Sequence, residues 1–310
     1  MLPVDSNAPP SGRPSFRTSR HRFGFGGIAF ELLVDGSVTF SLPPVYERHL
    51  VPPSHAPTLA DVVCGVRLDR GLAPPPVEPD LEQGALWEPT PEGLDVRAHE
   101  IALSICCTSP RHYAVTARIA DSSALPRLLL LLASTVTELA GGVCLHATAV
   151  EYAGRALLLL GPSGTGKTTA SQLLGDVLCL ANDRVNVVSR QENPDSPAEL
   201  WVWALPGGSP PRLSPSAHIA LPLLALLRVQ RAERPAVRAL RDAEAVLYVR
   251  EGMEVGINSG GFEAQRLAAA SQLALAAVSG VAQVALGQSW RAELDQFLSR
   301  AARGSLQEVP

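Results

Sequence analysis

The stretch RALLLLGPSGTGKTT, residues 155–169, decides the fold of this chain of 310 residues. Its first half is an apolar run that predicts a buried strand, and its second half is a glycine-rich loop that opens a helical pattern. Gly161, Gly166, Lys167 and Thr168 satisfy the Walker A pattern G-x-x-x-x-G-K-[ST]. A strand before the loop and a helix after it are the context that this motif requires, so we predict a phosphate-binding loop.

Each part of this loop has a task in binding a nucleoside triphosphate. The glycines allow several backbone N–H groups to point inward at phosphate, and a helix beginning at Lys167 adds the positive end of its dipole. Lys167, the only lysine in the chain, is placed to reach the β- and γ-phosphates, and the Thr168 hydroxyl to ligate Mg²⁺. We therefore expect ATP and Mg²⁺ as ligands. The expected nucleotide contacts are Gly161, Pro162, Ser163, Gly164, Thr165, Gly166, Lys167, Thr168 and Thr169.

Two further polar residues lie close to the loop in sequence. Asp183 follows an apolar strand predicted over residues 177–181, and an acid at such a strand end usually faces the metal of a phosphate loop. The alternative is an aspartate that only caps a turn. His146 lies in a strand predicted over residues 144–151, where a lone histidine is more often a core residue than a catalytic one.

The chain divides into three segments by composition and pattern. Residues 1–21 are rich in Pro, Ser and Arg and predict a disordered tail. Residues 22–120 predict a small, mostly β domain, with a first hairpin between residues 28–34 and 37–42 around Asp35-Gly36. Residues 121–310 form the third segment, in which strands and helices alternate from residue 144 onward, and this predicts an α/β layered domain.

Composition limits the classes of partner. The net charge is −4 with no Lys/Arg-rich run, so we expect no nucleic-acid partner. The longest apolar run, residues 125–136, is shorter than the ~20 residues of a membrane span, and we expect no membrane partner and a cytoplasmic protein. Five cysteines without a CxxC pair argue against a disulfide framework or a zinc ribbon. A homo-oligomer is left open.

Read together, these pieces resemble the C-terminal domain of the HPr kinase/phosphorylase family. That family carries a histidine, an acid five residues later, a short turn, a strand, the phosphate loop, a helix and a strand ending in Asp-Asp-Arg-Val. The matching text here is LHATAVE (145–151), the loop 161–168 and ANDRV (181–185). The resemblance is close over residues 143–187, and the overall plan is more similar to the shorter HPr-kinase-like proteins found beside peptide-modification and other biosynthetic genes.

The resemblance implies an α/β fold with a P-loop domain of the HPr-kinase/PEP-carboxykinase type, preceded by the small, mostly β N-terminal domain. It implies that Lys167 binds phosphate, that Thr168 and Asp183 ligate magnesium, and that His146 lies near the transferred phosphate. The family's proposed general base, the first aspartate of its pair, is Asn182 here, and an amide cannot accept a proton. The segment between loop and acid is two residues shorter, and no clear match to the family's motif for the reverse, dephosphorylating reaction is present.

Three functions are open at this stage. The first is an ATP-dependent kinase that transfers the γ-phosphate to a hydroxyl of a peptide, carrier protein or small molecule, with His146 or Glu151 replacing the missing base. The second is a nucleotide-binding regulator or scaffold without phosphotransfer, which Asn182 favours. The third is an ATPase that only hydrolyses. We expect the catalytic group to comprise His146, Asn182 and Asp183.

Overall fold

The computed structural model describes residues 18–51, 60–72, 85–190, 199–206, 214–216, 218–253 and 263–304. Within them the chain is a mixed α/β structure with two β-sheets. The strands are β1 Thr18–Phe25, β2 Ile28–Asp35, β3 Ala60–Leu68, β4 Ala85–Thr90, β5 Gly93–Ala98, β6 Ile101–Ser109, β7 His112–Ile119, β8 Val143–Tyr152, β9 Arg155–Leu160, β10 Leu178–Ala181, β11 Arg184–Arg190, β12 Glu199–Leu205, β13 Ala220–Arg231, β14 Ala236–Ala239 and β15 Ser279–Val284. The helices are α1 Pro44–Glu47, α2 Leu125–Leu139, α3 Lys167–Gln172, α4 Asp242–Gly252, α5 Glu263–Ala276 and α6 Arg291–Ala302.

The first sheet has the strand order β1-β2-β3-β7-β6-β5-β4. Its strands alternate buried and more exposed positions, as β7 does without exception, because one face packs against a core and the other does not. That core includes the apolar side of α2, where Leu128, Leu129 and Leu132 are fully buried. The helix α2 therefore covers the inner face of this sheet.

The first hairpin differs from the one predicted. β2 pairs with β1 around Gly26-Gly27, and residues 37–42 after Asp35-Gly36 form no strand. Gly26 and Gly27 both have positive φ, 61° and 86°, which is the requirement of a two-residue hairpin turn that matches strand twist. Asp35 instead accepts hydrogen bonds from the backbone N–H and the hydroxyl of Ser37. The turn at Asp35-Gly36 is therefore stabilised by these local hydrogen bonds and not by a following strand.

The boundary of the predicted tail also differs. Residues 1–17 of that tail lie outside the described residues, and residues 18–21 belong to β1, paired with residues 32–35 of β2. Arg20 forms an ion pair with Glu31 across this pair of strands. Arg20 thus takes part in a cross-strand charge pair, which the composition of the segment did not indicate.

The second sheet contains β9, the strand from which the glycine loop leaves. Its pairings run β8–β9, β9–β13, β13–β12, β12–β11 and β11–β8, so these five strands return to their starting point. β9 is a member of this circuit, antiparallel to β8 and parallel to β13. Its four leucines are buried on both faces: Leu158 and Leu160 pack in one core, Leu157 and Leu159 in the other. Because β9 is packed on both faces, the loop begins from a strand whose position is fixed.

Helices cover the two sides of the second sheet. Residues of α4 and α5 pack in the core around Leu145, and residues of α3 and α6 pack in the core around Leu157. The Trp290 indole N–H donates to the carbonyl of Ala170 at 2.9 Å, which ties the segment before α6 to α3. No helix in the described part of the chain is both long and apolar enough to cross a bilayer.

Side chains link the two sheets. The Asn186 amide of β11 donates to the carbonyl of Gly26 at 2.9 Å, and the buried His49 ring bonds the carbonyl of Ala204 in β12 at 3.1 Å. A short 3₁₀ turn over Ser122–Ala124 precedes α2 and begins after Asp121, whose carboxylate accepts a hydrogen bond from the backbone N–H of Ser123.

Candidate functional site

The glycine loop, defined here as Gly161–Thr168, leaves the carboxyl end of β9 and enters α3. Gly161, Gly164 and Gly166 have φ values of 147°, 78° and 92°. These are conformations that residues with a Cβ rarely adopt. A Cβ at Gly161 would lie 2.7 Å from the Thr165 hydroxyl oxygen. The motif's glycines are therefore required by the backbone path and by close packing within the loop.

Lys167 folds back over the first half of the loop. Its Nζ donates to the carbonyl oxygens of Gly161 at 2.7 Å and Pro162 at 3.2 Å, and the residue is 8% exposed. Burial lowers the pKa of Lys167, while the nearby charge of Asp183 raises it and that of Arg228 lowers it. The ammonium is thus held by the loop carbonyls, within the field of one carboxylate and one guanidinium.

Thr168 and Asn182 meet at the start of α3. The Thr168 hydroxyl donates to the Asn182 side-chain oxygen at 3.3 Å. Asn182 and Asp183 connect β10 to β11, and β10 and β11 both pair with β8. The strand order therefore brings this two-residue connection to the loop, although fourteen positions separate Thr168 from Asn182 in the sequence.

His146 and Asp183 form a pair beside the loop. The His146 Nδ1 lies 3.2 Å from Asp183 Oδ1, and the two side chains are 35% and 32% exposed. The backbone supports this contact, because Arg184 pairs with His146 in the β8–β11 ladder and the Ala147 N–H donates to the Asp183 carbonyl at 3.0 Å. Arg184 Nε lies 3.9 Å from the other Asp183 oxygen. His146 is accordingly a partly exposed residue with a charged partner, not a fully buried core histidine.

Glu151 is separated from this group. It lies at the far end of β8, opposite Ala156, whereas the loop begins next to Ala147, which pairs with Leu160. The four residue steps from Ala147 to Glu151 span about 13 Å of strand, so the suggestion that Glu151 replaces the missing base is wrong. Its carboxylate instead accepts from the Ser216 hydroxyl at 2.6 Å, which lowers the pKa of Glu151, with a further lowering from His218 at 3.2 Å.

Two arginines that sequence reasoning missed lie on the other side of β9. Arg228 of β13 pairs with Leu160, the last residue of β9, and Arg231 is the last residue of β13. The apolar pattern of β13 could have indicated these arginines. Parallel neighbouring strands such as β9 and β13 end at the same edge of the sheet, so residues at the end of β13 lie near the loop. Arg228 carries an ion pair with Glu251 at 2.8 Å and stacks on Tyr248 at 4.8 Å.

The donors at this edge fit a hard cation better than a soft one. The described residues contain no group of three or more His, Cys, Asp or Glu side chains arranged to hold a metal. Thr168 and Asp183 offer one hydroxyl and one carboxylate. Magnesium in phosphate-transfer sites commonly takes one or two protein oxygens and completes its shell with water and phosphate. These two residues are the ones that could hold it.

Comparisons with known proteins add little to this geometry. No protein-family model matches the chain, and no curated protein matches it. Among solved structures, the chain is similar to the Hpr(Ser) kinase/phosphatase from Coxiella burnetii, with 12% sequence identity and a TM-score of 0.26 over 53% of this chain and 99% of that one. A TM-score this low assigns neither a fold nor an activity to this chain.

Proposed function

We propose that this protein is an ATP-dependent kinase of the HPr-kinase-like type, which transfers the γ-phosphate to a hydroxyl of a peptide, carrier protein or small molecule. One observation carries the proposal. A glycine loop with a buried lysine has, at its open edge, both the Thr168–Asn182 contact and the His146–Asp183 pair. Cation, hydroxyl, carboxylate and imidazole are the groups that phosphoryl transfer uses.

The loop supplies the nucleotide site in this proposal. Backbone N–H groups of residues 161–169 cradle the phosphates, and the Lys167 ammonium exchanges its carbonyl partners for phosphate oxygens. Charge-assisted contacts of this kind are stronger than neutral ones. We infer a P-loop domain related to the HPr-kinase/PEP-carboxykinase type from the order of these residues along the chain and from the closed circuit of strands that includes β9.

Thr168 and Asp183 are the proposed magnesium ligands. Bound there, Mg²⁺ would neutralise charge on the transferring phosphate. The Thr168 proton is directed at Asn182, so the lone pairs of its oxygen remain available. Asp183 offers two oxygens, one of which is next to His146. The contact with Asn182 orients the Thr168 hydroxyl, and the contacts with His146 and Arg184 orient the Asp183 carboxylate.

His146 is the proposed general base. With its Nδ1 proton held by Asp183, the ring keeps Nε2 as its acceptor. The acceptor hydroxyl oxygen bonds to the γ-phosphorus, the bond to the β–γ bridging oxygen breaks, ADP leaves, and the hydroxyl proton moves to Nε2. Asp183 holds the tautomer and stabilises the imidazolium that forms, as carboxylates do for catalytic histidines elsewhere.

A second function has its own observation. Asn182 stands where the resembled family has a carboxylate, and its side-chain oxygen is already bonded to Thr168. An amide that accepts a hydrogen bond from the loop is compatible with a regulator or scaffold that binds nucleotide without transferring phosphate. The two functions share the nucleotide site and differ in turnover, so binding alone does not separate them.

The deciding experiment measures transfer from [γ-³²P]ATP with Mg²⁺ to peptides and carrier proteins encoded beside the gene. Wild-type protein should label an acceptor at a serine, threonine or tyrosine, and His146→Ala should lower the rate about 10²–10⁴-fold while still binding ATP. ADP release without any acceptor that equals the rate with one would indicate an ATPase. Tight ATP binding with neither labelling nor ADP release would reject the kinase and leave the regulator.

A further inference from the structure

The strand β13 extends beside the glycine loop on the side of β9 opposite β8. Leu160, the last residue of β9, pairs with Arg228, and β13 continues for three more residues to Arg231. At about 3.3 Å per residue this extension is about 10 Å long. Because the strands are parallel, it runs in the direction in which the loop leaves β9, and it brings Arg231 alongside the loop.

Arg231 contacts the loop directly. Its Nη2 donates to the carbonyl oxygen of Gly164 at 3.2 Å, and the residue is exposed. Within the described part of the chain it has no carboxylate partner at ion-pair distance. A Cβ built on Gly164 would meet no heavy atom within 4 Å, so the loop is open at this point. A guanidinium with further donors therefore faces an uncrowded part of the loop.

Arg228 is a different case. Its side chain is 15% exposed, its guanidinium is paired with Glu251 at 2.8 Å, and it lies over the Tyr248 ring. Paired and stacked in this way, Arg228 has a packing role that accounts for its position. Arg231 has no such set of partners among the described residues, and only its contact with Gly164 explains where it lies.

We propose that Arg231 is a second cationic ligand of the nucleotide's phosphate chain, acting together with Lys167. This inference rests on the proposed function, because it requires a nucleotide on the loop. Lys167 is held at the carbonyls of Gly161 and Pro162, and Arg231 at that of Gly164, so a polyphosphate lying across the loop meets one cation at the start and one at the middle. A guanidinium presents five N–H donors in a planar fork that suits phosphate oxygens.

The test is calorimetric binding of ATP and of inorganic tripolyphosphate, which has phosphates but no base or ribose. Arg231→Ala should weaken both ligands by about tenfold or more. Arg234→Ala removes an equal charge from an exposed residue three positions later and should change each affinity by less than about twofold. A loss for ATP without a loss for tripolyphosphate would place Arg231 at the base or ribose and overturn the proposal.

Two more variants separate ligand binding from support of the loop. Arg231→Gln keeps N–H donors for Gly164 without a charge, and Arg231→Lys keeps the charge. A phosphate ligand requires the lysine variant to bind tripolyphosphate more tightly than the glutamine variant. The reverse order, or unchanged affinity in the alanine variant, would mean that Arg231 only braces the loop. If wild-type protein binds neither ligand, the proposed function fails and this inference fails with it, whereas binding unaffected by Arg231→Ala removes the inference alone.

Discussion

The side-chain oxygen of Asn182 accepts a hydrogen bond from the Thr168 hydroxyl, 3.3 Å away. This contact ties the connection between β10 and β11 to the first turn of α3. A hydroxyl that donates its proton in this direction presents its lone pairs elsewhere, which suits a metal ligand. Through this contact Asn182 helps to position the first turn of α3, whether or not the residue takes part in phosphate transfer.

Lys167→Ala should weaken ATP binding by about 1.5–3 kcal/mol, or roughly 10- to 150-fold, because a charge-assisted phosphate contact is lost. Isothermal calorimetry measures the change. Because Lys167 also donates to two loop carbonyls, Lys167→Met serves beside it as the bulkier replacement. Thermal melting without nucleotide shows whether either variant has lost its fold. Wild-type affinity in a folded variant would remove the nucleotide site from this loop.

Asp183→Asn should abolish the gain in ATP affinity that added Mg²⁺ gives, because the amide is a weaker magnesium ligand than the carboxylate. In EDTA the variant should bind ATP no more weakly than wild type, since a negative charge near the phosphates has been removed. Titrations with and without Mg²⁺ give both values. Asp61→Asn is the matched control: Asp61 also contacts a histidine, His112, at 3.3 Å, but on an exposed part of the first sheet. An unchanged response to Mg²⁺ in Asp183→Asn would leave Asp183 only its contact with His146.

The residues of the loop and its strand were predictable because their signals are local. The apolar run and the motif lie together, and β9 occupies residues 155–160 as predicted. β11, over residues 184–190, was not predicted. Its sequence, RVNVVSR, shows no clear alternation of apolar and polar residues. The adjacent residues Val187 and Val188 are both buried, in different hydrophobic clusters. Position within the sheet, rather than a period of two, decides which of its residues are covered.

Contacts between distant segments were not predictable. Nothing in the sequence near His49 indicates that its ring bonds Ala204, 155 positions away, or that Arg231 reaches Gly164, 67 positions away. The hairpin was misassigned for a related reason. Gly26-Gly27 and Asp35-Gly36 are both good turn sequences, and the choice depends on β2 pairing with β3 on its second edge. These features require knowledge of the strand order, which single-sequence patterns do not contain.

His49 should make stability depend on pH. Burial, and secondarily the charge of Arg48, lowers the pKa of His49 from 6.5 to about 4. The folded state thus favours the neutral ring, so its contribution is present above pH 6.5 and is lost as the pH falls toward 4. The full loss is about 3 kcal/mol. Urea unfolding at pH 7 and pH 4.5 should show lower stability at the acidic pH.

The variant His49→Gln tests the source of that dependence. Glutamine retains an N–H donor for the Ala204 carbonyl and does not titrate, so the difference in unfolding free energy between the two pH values should shrink. His112→Gln, at an exposed ring on the first sheet, should leave the difference close to that of wild type. A pH dependence that survives His49→Gln unchanged would assign it to other groups.

Asn182→Asp distinguishes the kinase from the regulator. The carboxylate can accept the Thr168 hydrogen bond as the amide does, so the loop geometry should persist while a negative charge and a basic oxygen are added. In a kinase slowed by the amide, single-turnover transfer from labelled ATP should rise, within the ~10²–10⁴-fold range of general-base catalysis. In a regulator, the added charge should weaken ATP binding, and no transfer should appear.

A third outcome concerns the role of His146. If wild-type protein already transfers phosphate and Asn182→Asp is slower, the amide orients Thr168 or the nucleophile, and the proton goes elsewhere. His146→Ala should then be slower still, while His146→Gln, which keeps a donor toward Asp183 but no base, should be as slow as the alanine variant. Equal transfer rates in wild type and both His146 variants would remove His146 from the chemistry.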